Sequence, residues 1–342
     1  MLIDVFHSDP FTTIQMTEAV ERAPYQPIGL GTLNIFGRVP ITTKAAAIEE
    51  RNGILTLIKT TPRGAPGTQR TTEKRKTRYF EPPRLRQEDT LYAEEIQNIR
   101  AFGSNTDVMM AQAEIGRRLN GPTGLRSNLE YTREFHRLGA VQGLLLDADG
   151  TTVIYNWFDE FQVVQATEVA FNLPAKTLGS LRPICNGIVR GMARAAQGAF
   201  TPTTMVQAIC GDDFWDELVT HPDVEKTYLN WAAAEDLRGD TAFKSMRFSG
   251  IDWLNYRGSD DNSTIAVAHD KVKFFPVGAP GVFSEINAPA ESFDWVNTPG
   301  KPEYVQMIFD KDRNEWVKAE VSAYPLFICT RPEVLQSGRA GT

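Results

Sequence analysis

Apolar residues recur with a helical period in the middle of this chain and with a strand period towards its end. After Gly121-Pro122, Tyr131, Phe135 and Leu138 fall at i, i+4 and i+7, and Leu125 and Leu129 lie on an adjoining face. That spacing predicts a helix reaching about Gly143 and covered on more than one side. The runs 144–146 and 151–155 then read as two strands about an Asp-Gly turn at Asp149-Gly150. Leu178, Leu181, Cys185, Ile188, Met192 and Ala195 line one stripe of a further helix between Lys176 and Gln197. A buried strand follows over 205–210, leading to two helical segments split by Pro222 and ending near Gly239. Beyond it strand patterning dominates, over 243–253, 264–277, 304–309 and 315–330.

Upstream, short apolar pieces lie between Pro10, Pro24, Pro27, Gly29, Gly31 and Gly37. They predict an extended N-terminal arm to residue 40, with one helix from Thr13 to Arg22, and Gly29-Leu30-Gly31 reads as a turn. Asp89 or Thr90 caps a helix carrying Tyr92, Ile96 and Ile99 as far as Gly103, and Asn105-Thr106-Asp107 opens another through Met110 and Leu119. This order has no alternating strand-helix repeat, so the fold class is α+β and not a doubly wound sheet.

Residues 41–86 stand apart. Ile41–Glu50 and Ile54–Thr61 flank Asn52-Gly53, whose residues tolerate the positive φ of a type I′ turn, which predicts a hairpin. The segment then passes Pro62, Gly64, Pro66 and Gly67 into Lys74, Arg75, Lys76 and Arg78. Eight Lys or Arg between Thr61 and Arg86 oppose only Glu73 and Glu81, a local +6 in a chain of net charge −7. A two-stranded ribbon is marginal alone in water, so this arm is expected to lie on something else. Lys74, Arg75, Lys76 and Arg78 are the candidate inter-subunit contacts, through salt bridges to a neighbour; solvated charge and contact with phosphate are the other readings.

The composition, 42% apolar and 23% charged over 342 residues, is that of a globular chain of about two domains. Cys185, Cys210 and Cys329 lack metal or redox spacing and predict buried thiols in a reducing compartment. No signal peptide and no membrane-length apolar run is expected. His7, His136, His221 and His269 have no metal-ligand spacing, and neither a Walker A nor a GxSxG sequence occurs. One enzyme motif competes. Leu144–Thr151 matches the hhhDxDGT element of haloacid-dehalogenase-like phosphotransferases, with Asp147 as nucleophile, Asp149 as general acid and Asp212-Asp213 as Mg²⁺ holders. Against it, an alternating strand (Val153, Tyr155, Trp157) follows where that site needs a helix, and the 65 residues to Asp212 leave little room for the intervening units. Asp-Ala-Asp-Gly is more simply a hairpin turn.

Several stretches carry a resemblance in order. They are Asp9-Pro10-Phe11, Pro24-Tyr25-Gln26-Pro27, Ile41-Thr42-Thr43 through Arg63-Gly64-Ala65-Pro66, Leu129–Ala140 into Gly143–Gly150, Tyr324-Pro325-Leu326 and Thr330–Leu335. Together they resemble the lambda-type major capsid (head) protein family of tailed bacteriophages. The resemblance implies a Hong Kong 97 type capsid fold: an N-terminal arm (1–40), an extended β-hairpin loop (41–86), a peripheral domain with the spine helix (87–174), an axial domain (175–310) and C-terminal strands returning to the peripheral domain (311–342). It implies no enzyme activity and no cofactor. The subunit would assemble with itself as hexamers and pentamers into an icosahedral virion shell, formed in the host cytoplasm around double-stranded DNA held without sequence specificity. A separate scaffolding protein is expected, because no long charged helical segment precedes the arm; a portal and a decoration protein are the further partners the resemblance implies. A Lys-to-Asn crosslink from Lys74 or Lys76 lacks an evident acceptor. Another virion part, such as a tail or decoration protein, is the minor alternative.

Overall fold

In the computed structural model, which describes residues 25–27, 29–51, 75–96, 111–229, 245–261 and 263–341, the long helix forms where its apolar spacing places it, at Leu125–Gln142. Gly143 ends it in the left-handed region, φ +84°, with its N–H turned back on the carbonyl of Ala140. A Cβ at Gly143 would sit 2.3 Å from the Phe158 ring, so glycine serves both the backbone turn and the close approach. The helix bridges two cores. Leu125 and Leu129 pack with Leu91, Ile115, Leu119 and Val321 at its start, while Leu138 and Val141 pack with Leu145, Trp157, Phe158 and Phe161 at its end. Each fully buried side chain of this size contributes about 1.5–3 kcal/mol relative to exposure.

A six-stranded mixed sheet forms the largest layer. Its order is Val169–Ala170, Gln336–Arg339, Lys271–Val277, Met205–Cys210, Ile251–Asn255 and Ser245–Phe248. Val206, Ala208, Ile251, Trp253, Val272 and Phe274 share one face by strand alternation, and helices Leu181–Ala195 and Asp212–Val219 cover that face. Phe171, Phe214, Trp253 and Phe274 form a ring cluster there, with centroid separations between 5.3 and 6.2 Å. Residues of the opposite face, Ile209 and Phe275, enter the core that holds the end of the long helix.

Two three-stranded sheets complete the body. Gly37–Pro40 runs parallel to Phe283–Asn287, which pairs antiparallel with Pro325–Cys329. Trp316–Ala323 is the centre of the other, flanked by Tyr304–Phe309 and Leu85–Tyr92. This corrects the expected helix cap, because Asp89 and Thr90 lie mid-strand opposite Ala319 and Lys318, and the helix begins only at Ala93. The run Leu85–Tyr92 has little β-propensity; pairing along its whole length with Trp316–Ala323 and the Arg86–Glu320 ion pair decide its state. The strands of 311–342 also part company. Trp316–Ala323 joins Leu85–Tyr92, whereas Gln336–Arg339 enters the six-stranded sheet. Leu178 is 56% exposed and off the buried stripe, since the helix starts at Leu181 after a turn at Gly179, φ +84°. The predicted helices 13–22 and 97–103, the start at Asn105 and the Asn52-Gly53 turn lie outside the described residues.

Candidate functional site

The root of the arm is a two-stranded ribbon in which Ala46–Arg51 pairs antiparallel with Arg75–Phe80. Strand alternation sends Ala46, Ile48, Arg78 and Phe80 to one face, and that face packs on the chain's own helix Trp157–Phe161. Phe80 is buried among Tyr155, Trp157 and Phe161, with ring centroids 5.5 to 5.9 Å away. The Arg78 guanidinium donates to the Phe161 carbonyl at 3.2 Å and stacks over the Phe161 ring at 5.1 Å. Lys76 Nζ donates to Gln162 Oε1 at 2.9 Å. The Tyr155 hydroxyl donates to the Glu81 carbonyl and accepts from the Glu81 N–H, which fixes the returning leg. Lys44 and Glu81 close the root with a salt bridge at 2.5 Å. On the outer face Tyr79 is 73% exposed, opposite Ala47.

Of the basic residues expected to reach a neighbour, Lys76 and Arg78 are therefore engaged with their own chain. Arg75 occupies the strand opposite Arg51, and Lys74 lies outside the described residues. Arg75, Lys76 and Arg78 lie on the return strand of the ribbon.

Above the root, the long helix carries a charge cluster that its apolar periodicity hid. Glu130, Arg133, Glu134 and Arg137 stand at i, i+3, i+4 and i+7, and Glu134 is fully buried. Its carboxylate accepts the backbone N–H groups of Leu30 at 2.6 Å and Gly31 at 3.1 Å, the Tyr256 hydroxyl at 3.2 Å and Arg137 at 3.2 Å. Gly29–Thr32, read from sequence as a turn, is thus a single helical turn seated on a carboxylate. A Cβ on Gly31 would stand 2.9 Å from the Arg137 guanidinium, so glycine lets the backbone settle there. Arg133 bridges buried Glu285 and Glu130, tying the helix to strand Phe283–Asn287, and Arg137 lies 5.3 Å over the Phe327 ring. Burial pushes the Glu134 carboxyl above its ordinary value against the pull of its donors and Arg137. Burial next to a carboxylate pushes the Tyr256 phenol far up. His136, two residues beyond Glu134, is buried with Nδ1 unpartnered among the described residues, and desolvation lowers it to about 4.

Tyr25 and Gln26 extend the same attachment. The Tyr25 N–H donates to Asp260 and its ring lies 3.7 Å from Arg257, while Gln26 reaches the Pro122 carbonyl at 2.9 Å. The segment that enters the body is therefore tied to the helix, the loop after Ile251–Asn255 and the turn before the helix. Only the charged i, i+3, i+4 pattern of 130–137 could have signalled this in sequence; the partners are about a hundred residues away.

The Asp147-Ala148-Asp149-Gly150 element is a turn. Asp149 accepts from the N–H groups of Thr151 and Thr152 and from the Thr152 hydroxyl, which holds it far below the usual carboxylate range. Asp147 accepts from Ala148 N–H, and Gly150 supplies φ +68°. Both carboxylates shape a hairpin turn that leads into strand Val153–Asn156, paired back on Leu144–Leu146, where the phosphotransferase alternative needs a helix. Among the described residues no group of three or more His, Cys, Asp or Glu is placed to hold a metal, and no helix is long and apolar enough to cross a membrane. The three cysteines are buried and unpaired, and burial raises the Cys185 thiol to about 12.

Comparison with known proteins agrees with this architecture. The chain is 26% identical over 331 residues to the major capsid protein of Pseudomonas phage KPP10, covering 90% of this chain and 91% of that one. It is 22% identical to the major capsid protein of Salmonella phage Felix O1, with 96% of each chain covered. The capsid structure of the cyanophage P-SCSP1u superposes with a TM-score of 0.54 at 11% identity, covering 99% of this chain and 94% of that one, which places the fold among phage capsids of the Hong Kong 97 type. A profile described as phage major capsid protein E matches residues 12–340. The chain belongs to the phage major capsid protein E family and has the function of a major capsid protein.

Proposed function

We propose that this subunit assembles with itself as hexamers and pentamers into the icosahedral head of a tailed phage or prophage, around double-stranded DNA. The family match over 12–340 carries this reading. The root of the arm supports it. A ribbon anchored on one face by Phe80, Lys76 and Arg78 is aimed by its own subunit, and its outer face with Tyr79 is left for a neighbour. Lys74 and Arg75 then meet acidic groups of the adjacent copy, while Lys76 and Arg78 hold the arm's base. The net charge of −7 suits a container that does not grip DNA. Residues 87–174 with the long helix form the peripheral part, except that strand Val169–Ala170 joins the six-stranded sheet, which forms the axial part. A separate scaffolding protein, a portal and a decoration protein complete the virion, with assembly in the host cytoplasm.

Electron microscopy and sedimentation of the purified chain, alone and with a co-expressed scaffold, test the reading. Shells or capsomers are expected from wild type. Deleting residues 52–74 is expected to leave a folded body, because the paired strands at the root remain, and to abolish shells. Asp147→Asn is expected to assemble normally and to leave phosphatase activity at background. A chain that stays monomeric or dimeric under all these conditions overturns the proposal.

A further inference from the structure

The two helices covering the six-stranded sheet carry opposite charge without mixing. Helix Leu181–Ala195 contains Arg182, Arg190 and Arg194 and no acidic residue; helix Asp212–Val219 contains Asp212, Asp213, Asp216 and Glu217 and no basic one. On the first, the residues opposite the buried Leu181, Cys185, Ile188 and Met192 are exposed. Arg182, Asn186, Arg190 and Arg194 follow one another at every fourth position, a line of about 18 Å at 1.5 Å per residue. On the second, Asp213 and Asp216 are exposed one turn apart.

Arg182 is held within the chain, against Thr227 Oγ1 at 3.3 Å and over the Phe248 ring. Asp212 lies 4.0 Å from His269. Among the described residues Arg190, Arg194, Asp213 and Asp216 enter no ion pair, although charged groups elsewhere on the body are extensively paired. Asp213 stands in the first turn and Arg194 in the last turn of its own helix, where the dipole favours each without any partner; Asp216 and Arg190 gain nothing comparable.

We propose that the arginine face of helix Leu181–Ala195 in one copy docks on the acidic face of helix Asp212–Val219 in the next copy. The inference rests on the shell-subunit reading and names one contact within it. A contact between two different patches of one chain is heterologous, and repeated by a fixed rotation it closes a ring, as a hexamer or pentamer needs. Complementary charge sets the register and the encounter rate of such a contact.

Charge reversal tests it in the full-length chain, with circular dichroism and thermal unfolding to confirm that each exposed-face variant folds. Arg190→Glu with Arg194→Glu is expected to raise the concentration needed for assembly about tenfold or more, as is Asp213→Arg with Asp216→Arg. Combining all four reversals in one chain is expected to restore assembly towards wild type, which general damage to either helix does not do. Folded variants that assemble at the wild-type concentration, or a quadruple variant no better than the doubles, overturn the proposal. Normal assembly of the arginine variant with reduced retention of double-stranded DNA also overturns it and assigns the stripe to phosphate. Wild type that forms no rings or shells at all instead sinks the shell-subunit reading beneath it.

Discussion

The aromatic layer under the six-stranded sheet and the junction where the long helix meets residues 29–31 are both buried, yet they are held by different physics. Phe171, Phe214, Trp253 and Phe274 exclude water with rings that need few partners, Trp253 Nε1 donating to the Phe248 carbonyl at 3.2 Å. Such a core is stabilising by area and packing and tolerates swaps that keep volume. At the junction, Glu134, Arg133, Arg137 and Glu285 gain little net energy from burial, since desolvation offsets attraction. What they add is definition: each charge is satisfied only when the helix, the turn at 29–32 and strand Phe283–Asn287 all sit in one arrangement. One region makes the subunit stable and the other makes its shape single-valued.

The comparison can be broken in graded steps. Trp253→Ala in the dry layer is expected to cost about 4 kcal/mol, read by chemical denaturation of the unassembled chain. Glu285→Ala leaves Arg133 buried without its main partner and is expected to cost about 3 kcal/mol. Adding Arg133→Met to it should recover most of that loss, and a double variant as unstable as the single one would show that attraction, and not desolvation, dominates the pair. Next comes pH. His136 has its folded value depressed from 6.5 to about 4, so its contribution is intact above 6.5 and is lost as pH falls towards 4. The full effect is about 3 kcal/mol from the size of that shift. Glu134, raised by burial, contributes in the opposite sense, most at low pH and less as pH rises. The difference in pH slope between wild type and His136→Phe isolates the histidine, and equal slopes would exclude it. Gly143→Ala, which forces a Cβ against Phe158 at positive φ, is expected to cost about 2 kcal/mol. The smallest effect belongs to Arg78→Ala, about 1 kcal/mol from a half-buried cation over Phe161, visible as faster hydrogen exchange in Ala46–Arg51.

The dry layer was legible in sequence. Leu181, Cys185, Ile188 and Met192 announce their helix by spacing alone, and Met205–Cys210 announces a buried strand by its apolar run. The long helix and the Asp-Gly hairpin were legible from local pattern too, and the family from the resemblance their residues carry. The junction was not, because Leu30, Gly31 and Tyr256 answer Glu134 across long stretches of chain and carry no local mark. Leu85–Tyr92 was misread as the approach to a helix because a polar strand is specified by its partner, Trp316–Ala323. Charge marks Arg75, Lys76 and Arg78 in the sequence but does not say which face of a strand each occupies; the register opposite Ala46–Arg51 does.

The root of the arm has a mechanical meaning. Phe80 rests on Trp157, and the Trp157 N–H donates to the Gly143 carbonyl at the end of the long helix, 3.0 Å away. A torque applied to the arm therefore has a short, stiff route into the helix axis, through one aromatic contact and one backbone bond. The root gives the arm a fulcrum inside its own subunit, so a load on the arm is delivered to the element that spans both cores.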